Sequence, residues 1–370
     1  MERLTTLLLL LPGLATAAPQ LSETPAVAVF EAKKNITHAS VRIPALLMTT
    51  KGTLIAVAEA RDKATDQAGN DLLVSTSRDR GKSWSKPAIA YEQGADSCNN
   101  PCLVQDAKGG RVFLFFQTFP AGGKEFGGLP VGPADPKGNR IKVTTSDDEG
   151  ATWSKPVDLS AELKPENAVT CASGPGIGIQ LREGKSAGRL VIPFNSQDPK
   201  RNFVNWVAYS DDAGKTWKRG AEVPQETMQL NEVQVAETAE GGLYLNSRRW
   251  KGAALRKAAW SQDGGATWTK AVDDPALPEP TCQGSLLAAR HAGKPAIFFL
   301  NPAGKGRANG TLRRSDDGGK TWTESTLIFP GAFAYSSMAQ VGPDIGVLYE
   351  PAGSSVVLYR AIVGAGLDGR

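Results

Sequence analysis

The side chains in this sequence that could carry chemistry are carboxylates, hydroxyls, phenols and guanidiniums. Only two histidines occur, His38 and His291, so sites that need several imidazole ligands and HExxH metalloenzyme sites are excluded. Arg42 lies inside the apolar run VRIPALL, where a buried guanidinium is costly without a partner. A buried arginine implies an anion beside it, and no metal or other cofactor is implied.

Composition and charge narrow the class of protein. Of the 370 residues, 41% are hydrophobic and 22% are charged, which is typical of a soluble globular protein. The 42 basic and 38 acidic residues give a net charge of +4, too small and too evenly spread for an electrostatic nucleic-acid binder. No Pro/Ser-rich linker or change in composition divides the chain after its first residues, so we expect one domain. We also expect a monomer.

Residues 1–17 have the pattern of a secretory signal peptide: a charged start, an apolar stretch and a run of small residues. Pro12 and Gly13 interrupt the apolar stretch, which is also too short to span a bilayer, so we expect no transmembrane anchor. Cleavage near Ala17 would leave residues 18–370 as a single domain, secreted or periplasmic.

Four cysteines are available in a location where disulfides are allowed. The CNNPC spacing of Cys98 and Cys102 is too wide for a CxxC motif, and it predicts a local bridge between them. For Cys171 and Cys282, a disulfide and two buried free thiols are both open interpretations.

One motif, S-x-D-x-G-x-[ST]-W, occurs five times and organises the chain. Each copy follows an apolar, β-prone stretch, which indicates a hairpin connection. The aspartate can accept backbone N–H bonds in the turn, the glycine two residues later supplies a positive φ, and the tryptophan packs on the neighbouring sheet. We therefore expect the aspartates to build turns and to do no chemistry. They are Asp79, Asp148, Asp212, Asp263 and Asp317.

The spacing of this motif predicts the fold. Its tryptophans lie 69, 64, 51 and 54 residues apart. This spacing suits a four-stranded blade, and residues 18–370 hold about six such units. The predicted fold is an all-β, six-bladed β-propeller in which one blade lacks the motif, with one short helix candidate at 160–166.

The segments between the repeats resemble the exo-α-sialidases of the bacterial and animal Asp-box family. In family order they are VRIPALL, NEVQVAE, LYLNSRR, LNPAGKGRANGTLRRS, FAYSSMAQ and IGVLYE, supported by AGNDLLVSTS, GPGIGIQL and CQGS. The resemblance covers essentially residues 18–370. It implies a glycoside hydrolase that removes terminal sialic acids from glycoproteins, glycolipids or oligosaccharides, and Gln283 of CQGS as a substrate contact.

Sialic acid carries a carboxylate on its anomeric carbon, and guanidiniums suit it because they keep their charge and bind in a planar fork. The resemblance implies that Arg42, Arg248 and Arg307 bind this carboxylate and that Glu350 holds Arg42 in place. Arg249, directly beside Arg248, is the competing assignment.

The same substrate carboxylate disfavours a carboxylate nucleophile, which would approach a carbon that already bears negative charge. A neutral tyrosine avoids that repulsion, and sialidases are the recognised glycosidases with a tyrosine nucleophile. The resemblance identifies Tyr335 as this nucleophile and Glu232 as the base that takes its proton, with Glu237 as the alternative base.

Protonation of the leaving group calls for a general acid on a loop at the solvent edge. The resemblance places it at Asp66, with Asp62 and Asp71 as alternatives, and implies that Arg61 contacts the ring substituents of the sugar. The implied mechanism is a retaining double displacement by Tyr335. A sialoglycan-binding propeller without turnover, and an enzyme that transfers the sugar or releases an anhydro product, are the alternatives.

Overall fold

The structure, a computed structural model, describes residues 21–369 except 252–254, 324, 352 and 354. The predicted signal peptide, residues 1–17, lies outside the described residues. Within them are 27 β-strands, one α-helix and one 3-10 helix. In chain order the strands are β1 (Ser22–Glu23), β2 (Val27–Glu31), β3 (Ser40–Met48), β4 (Leu54–Arg61), β5 (Asn70–Ser77), β6 (Ala88–Tyr91), β7 (Ser97–Gln105), β8 (Val112–Phe119), β9 (Arg140–Ser146), β10 (Val157–Asp158), β11 (Thr170–Ser173), β12 (Gly176–Ile177), β13 (Ile179–Gln180), β14 (Leu190–Gln197), β15 (Phe203–Ser210), β16 (Lys218–Arg219), β17 (Leu230–Glu237), β18 (Leu243–Arg249), β19 (Leu255–Ser261), β20 (Val272–Pro278), β21 (Ser285–His291), β22 (Lys294–Pro302), β23 (Ala308–Ser315), β24 (Thr326–Ala332), β25 (Ser336–Val341), β26 (Asp344–Tyr349) and β27 (Val356–Val363).

These strands form six sheets of four or five strands, each of which is one blade of a β-propeller. Blades 1 to 6 are β3–β6, β7–β10 with β12, β11 with β13–β16, β17–β20, β21–β24, and β25–β27 with β1 and β2. Strands within a blade pair antiparallel, except β12, which runs parallel to β7. The predicted all-β, six-bladed propeller is confirmed.

Blade 6 closes the ring by joining the two ends of the described chain. Its fourth strand, β2, precedes blade 1 in the sequence and pairs with β27, with Val27 opposite Tyr359. The third and fourth strands of this blade are therefore not consecutive along the chain. No hairpin connects them, which explains why this blade lacks the repeated motif.

The hydrophobic core is divided among the contacts between adjacent blades. Six clusters of buried residues each combine side chains from two neighbouring blades. Between blades 3 and 4, for example, Val191 and Val207 pack with Val235 and Leu245. Each blade is therefore stabilised by burial on both of its faces, and the ring behaves as one packed unit.

The repeated motif builds its turn as predicted. In the first copy, Asp79 Oδ1 accepts hydrogen bonds from the Ser77 hydroxyl at 2.8 Å and from the Ser83 backbone N at 2.9 Å. The Ser77 hydroxyl in turn accepts one from Gly81 N at 2.9 Å, and the other four copies repeat this set. The bonds from Ser83, followed by that from Ser77, lower the pKa of Asp79 to about 2.

The glycine of each motif also allows the turn to contact the preceding blade. Gly214 in blade 3 has φ +80°, and a β-carbon there would lie 2.2 Å from the Phe113 ring in blade 2. Trp217 of the same motif packs edge-on against Phe115, with ring centroids 4.7 Å apart. The glycine is thus required by its backbone conformation and by its close approach to the neighbouring blade.

The cysteines differ from the predicted local bridge, because all four are buried free thiols. Cys98 packs in the cluster between blades 1 and 2, and Cys102 packs in the cluster between blades 2 and 3. A bulge between Asn99 and Cys102 shifts the register of β7, so the two thiols face opposite sides of the blade. The predicted bridge is therefore wrong, since bonded cysteines must bring their β-carbons together.

Helical structure is short throughout the described chain. The helix predicted at 160–166 spans only Ser160–Leu163, because Lys164 is extended ahead of Pro165. A 3-10 turn covers Ala239–Gly241. Over the described ranges, none of the helices has the length and apolar character to cross a membrane.

Substitution of Gly214 tests the close contact between blades. Gly214→Ala introduces both positive-φ strain, about 1–2 kcal/mol, and overpacking against Phe113, about 1–3 kcal/mol more. The matched control is Gly188→Ala, at φ +91° with no atom within 4 Å of the added β-carbon. We expect urea unfolding to show a clearly larger loss for Gly214→Ala, and equal losses would contradict the packing role.

Candidate active site

A cavity of about 180 Å³ lies where all six blades converge at one end of the propeller axis. The inner strands β3, β7, β11 and β17 each contribute lining residues, as do the segments before β23 and β25. The charged and phenolic side chains that line it are Arg42, Arg61, Asp66, Glu125, Glu232, Arg248, Arg307 and Tyr335. The structure thus brings together residues that are far apart in the sequence.

Tyr335 and Glu232 form a short hydrogen bond at the base of this cavity. The Tyr335 hydroxyl donates to Glu232 Oε1 at 2.5 Å. Arg248 Nη1 donates both to Glu232 Oε2 at 2.6 Å and to Tyr335 Oη at 2.9 Å. Burial, followed by the negative charge of Glu232, raises the pKa of Tyr335 well above its ordinary value. The phenol is therefore neutral at rest, with a proton acceptor already bound.

Arg42 is held by a carboxylate from the opposite end of the described chain. Its Nε and Nη2 donate to Glu350 Oε2 at 3.1 and 2.9 Å, and Glu350 Oε1 accepts from Ile43 N at 2.7 Å. A bulge in β3 between Arg42 and Ala45, with Ile43 at φ +57°, accompanies this orientation. The backbone N of Glu350 also donates to the carbonyl oxygen of Tyr335. The predicted supporting contact of Glu350 is therefore present in the geometry.

The three predicted arginines surround Tyr335. The guanidinium carbons of Arg42 and Arg307 lie 4.9 and 5.3 Å from the Tyr335 ring centroid, while Arg248 bonds the hydroxyl. Arg307 donates only to the carbonyl oxygen of Thr281, at 3.3 Å, and pairs with no carboxylate among the residues described. This leaves a cationic group in the cavity that is available to an anionic ligand.

Gln283 lies beneath the cavity and does not line it. Its side-chain amide donates to the Ser336 carbonyl at 2.9 Å and accepts from Ser336 N at 3.0 Å. Both ends of the amide are thus used to hold the residue after Tyr335. In this structure Gln283 holds the backbone of Ser336, directly after Tyr335, and its predicted contact with substrate stays a prediction.

A buried ion pair that was not predicted from the sequence supports the turn at 279–284, which contains Gln283. Arg256 Nη1 lies 3.3 Å from Glu279 Oε2 and donates to the Cys282 carbonyl at 2.6 Å. Glu279 Oε1 accepts from Cys282 N at 2.7 Å. The turn at 279–284 is therefore fixed from both sides, and it carries the Thr281 carbonyl that binds Arg307.

Asp66 lies at the solvent edge of the cavity. Its side chain is 68% exposed, and its Oδ1 accepts from Arg61 Nη1 at 2.9 Å. Arg61 is buried and also pairs with Glu59 at 2.6 Å. The side chains of Asn70 and Asn99 both donate to the Asp66 carbonyl oxygen, which holds the loop in place.

The alternative residues considered from sequence point elsewhere. Asp71 pairs with His38 at 2.9 Å, and Glu237 accepts from the backbone N of Arg182 at 2.7 Å. Arg249 pairs with Asp273 at 2.9 Å. None of these side chains lines the cavity, and neither does Asp62.

Amide side chains form much of the remaining wall. They are Gln67, Asn99, Asn100, Gln117, Asn195 and Asn231. The Oδ1 atom of Asn99 is buried without a hydrogen-bond partner. A wall of amide side chains beside several arginines suits an anionic ligand that is rich in hydroxyl groups.

Glu125 is the charged residue of the cavity that sequence reasoning missed. It lies in the long loop between β8 and β9, outside every recognised motif. Burial, followed by the charges of Glu232 and Asp66, raises its pKa to about 7. Across the residues described, no cluster of three His, Cys, Asp or Glu side chains could hold a metal ion.

Most of the chain is similar in sequence to known proteins. The BNR repeat-like domain family matches residues 45–347. The sialidase of Micromonospora viridifaciens is 33% identical over 327 residues, which cover 84% of this chain and 50% of that protein. An exo-alpha-sialidase of Aspergillus fumigatus is 32% identical over 356 residues, which cover 88% of this chain and 82% of that protein.

A solved structure extends the likeness to the fold. The Hadza microbial sialidase Hz136 superposes with a TM-score of 0.83 at 28% identity, over 92% of this chain and 69% of that one. The chain spans about half the length of the Micromonospora relative that it matches. The repeat, the propeller and these similarities together establish that the chain belongs to the sialidase family.

Proposed function

We propose that the protein is an exo-α-sialidase that hydrolyses terminal sialic acids from glycoproteins, glycolipids or oligosaccharides after export by the signal peptide. The observation that carries this proposal is the Tyr335–Glu232 hydrogen bond, bridged by Arg248, inside a cavity lined by three more arginines. A phenol already bound to a carboxylate is the arrangement that a nucleophilic tyrosine requires.

Recognition of the substrate would rest on its carboxylate. Arg42, Arg248 and Arg307 converge around Tyr335, so an acid group on the anomeric carbon would be held directly beside the phenol. Arg307 has no carboxylate partner in the described chain and would gain one from the substrate. Charge-assisted bonds of this kind are about twice as strong as neutral ones.

In the first step, Tyr335 Oη attacks the anomeric carbon while its proton passes to Glu232 Oε1. The bond to the aglycone oxygen breaks, and Asp66 donates a proton to that oxygen. The product of this step is a sugar covalently bound to Tyr335.

In the second step, water attacks the anomeric carbon and Asp66 accepts its proton. The bond to Tyr335 breaks, and Glu232 returns the proton to the phenol oxygen. Two inversions at one carbon give overall retention of configuration.

Replacement of the nucleophile tests the function. Purified wild-type protein should release the fluorophore of an aryl α-sialoside, whereas Tyr335→Phe should lose roughly 10³-fold or more of kcat/KM because the attacking oxygen is absent. The sugar product, identified by mass, separates hydrolysis from formation of an anhydro sugar. Unchanged turnover by Tyr335→Phe would eliminate the assignment, and a folded, inactive wild type that binds sialyllactose would favour a binding propeller.

Asp66→Asn tests the acid by comparing two leaving groups. We expect kcat/KM for sialyllactose to fall by about 10²–10⁴-fold, with a much smaller loss for an aryl sialoside whose phenol leaves unaided. Asp62→Asn, in the same loop and exposed, is the matched control and should leave kcat/KM unchanged for both substrates. Equal losses on both substrates for Asp66→Asn would instead indicate a structural role.

A further inference from the structure

Glu125 lines the cavity, yet the proposed mechanism does not use it. It is the second residue of a turn that Gly127 N closes by donating to the Lys124 carbonyl at 2.9 Å. The turn belongs to the loop between β8 and β9, in blade 2. Glu125 therefore reaches the cavity from a blade that supplies none of the residues of the proposed reaction.

The next residue, Phe126, packs this turn against residues on the other side of the cavity. Its ring lies 5.2 Å from the Trp250 ring and 5.0 Å from the Arg201 guanidinium, centroid to centroid and carbon to centroid. Trp250 also packs on Phe203 at 4.9 Å. Phe126 thus spans from blade 2 to residues beside blades 3 and 4, and it holds Glu125 over the cavity.

The charges around Glu125 are already balanced without it. Four guanidiniums line the cavity, from Arg42, Arg61, Arg248 and Arg307. Four carboxylates oppose them: Glu350 and Glu59 support two of the arginines, Glu232 pairs with a third, and Asp66 is at the rim. An anionic substrate would make this group net negative, and an ionised Glu125 would add a second negative charge.

Within the described chain, the Glu125 carboxyl has neither a hydrogen-bond partner nor an ion pair to offset that charge. The charged and titratable groups that surround it are Asp66 and Arg61 of blade 1, Lys124 of its own turn, Arg201 beside blade 3, Glu232 and Arg248 of blade 4, and Arg42, Arg307 and Tyr335 on the remaining wall. Neither histidine lines the cavity.

We propose that Glu125 binds the substrate in its protonated form, as a hydrogen-bond donor to the sugar, so that binding of the anionic sugar is coupled to uptake of one proton at this carboxyl. The inference rests on the proposed function, since it requires an anionic ligand in this cavity. In the neutral form the carboxyl adds no charge to the site and gains a donor that the carboxylate lacks.

The direction of the pH effect follows from the raised pKa of about 7 in the free protein. Below that pH, Glu125 is already protonated and the affinity is constant. Above it, the proton must be taken from solvent, so the dissociation constant rises. With full protonation in the complex, the rise is about tenfold between pH 6 and pH 8.

The test is calorimetric titration of the full chain with the unsaturated glycal of sialic acid, which binds without turnover, between pH 6 and pH 8. Comparison of the binding enthalpy in buffers of different ionisation enthalpy gives the number of protons taken up on binding. For the wild type at pH 8 we expect about one proton. Glu125→Gln, a neutral donor of the same shape, should bind with a pH-independent dissociation constant and no uptake at this site. Glu125→Asp should restore a pH-dependent constant.

Glu166→Gln, an exposed glutamate outside the cavity, is the matched control and should behave as the wild type. If Glu125→Gln keeps the proton uptake and pH dependence of the wild type, the inference is overturned. Cleavage of an aryl sialoside by the wild type would show that the proposed function still holds in that case. If the wild type neither binds the glycal nor cleaves an aryl sialoside, the proposed function fails, and the inference falls with it.

Discussion

The constraint on which the rest of the site depends is the presence of several guanidiniums in one enclosed cavity. Each buried charge costs several kcal/mol unless it is paired, so the fold must supply fixed carboxylates. Glu350 pairs with Arg42, Glu59 with Arg61 and Glu232 with Arg248. Removing one partner would leave the other as an uncompensated buried charge, so each arginine depends on its carboxylate.

The Arg42–Glu350 pair makes the site dependent on closure of the ring. Arg42 is in blade 1 and Glu350 follows β26 in blade 6, so their bond crosses the junction that β2 closes against β27. Arg248 in blade 4 bonds Tyr335, which precedes β25 in blade 6. The Glu59–Arg61 and Glu232–Arg248 pairs each lie within one blade, but the core lies between blades, so these pairs also depend on the neighbouring blades.

The sequence predicts features that repeat or that violate a local rule. The five motifs define the blades because each turn uses the same few residues, and Arg42 stands out because it interrupts an apolar run. The predicted Cys98–Cys102 bridge is wrong because a bulge changes which face of the blade a strand residue occupies. The position of Glu125 in the cavity could not be predicted from the sequence. Its environment is formed by Phe126, Trp250 and the far wall, which only the folded chain brings together.

The position of Arg248 explains how the proposed proton transfer can occur inside so charged a site. Its Nη1 donates to Glu232 Oε2 and to Tyr335 Oη, so it contacts both of the groups between which negative charge would move. Passing the proton across the 2.5 Å hydrogen bond moves that charge without altering the total in the cavity. Because the same guanidinium stabilises both arrangements, no charged group needs to reorganise, and a phenol with a raised pKa can still react.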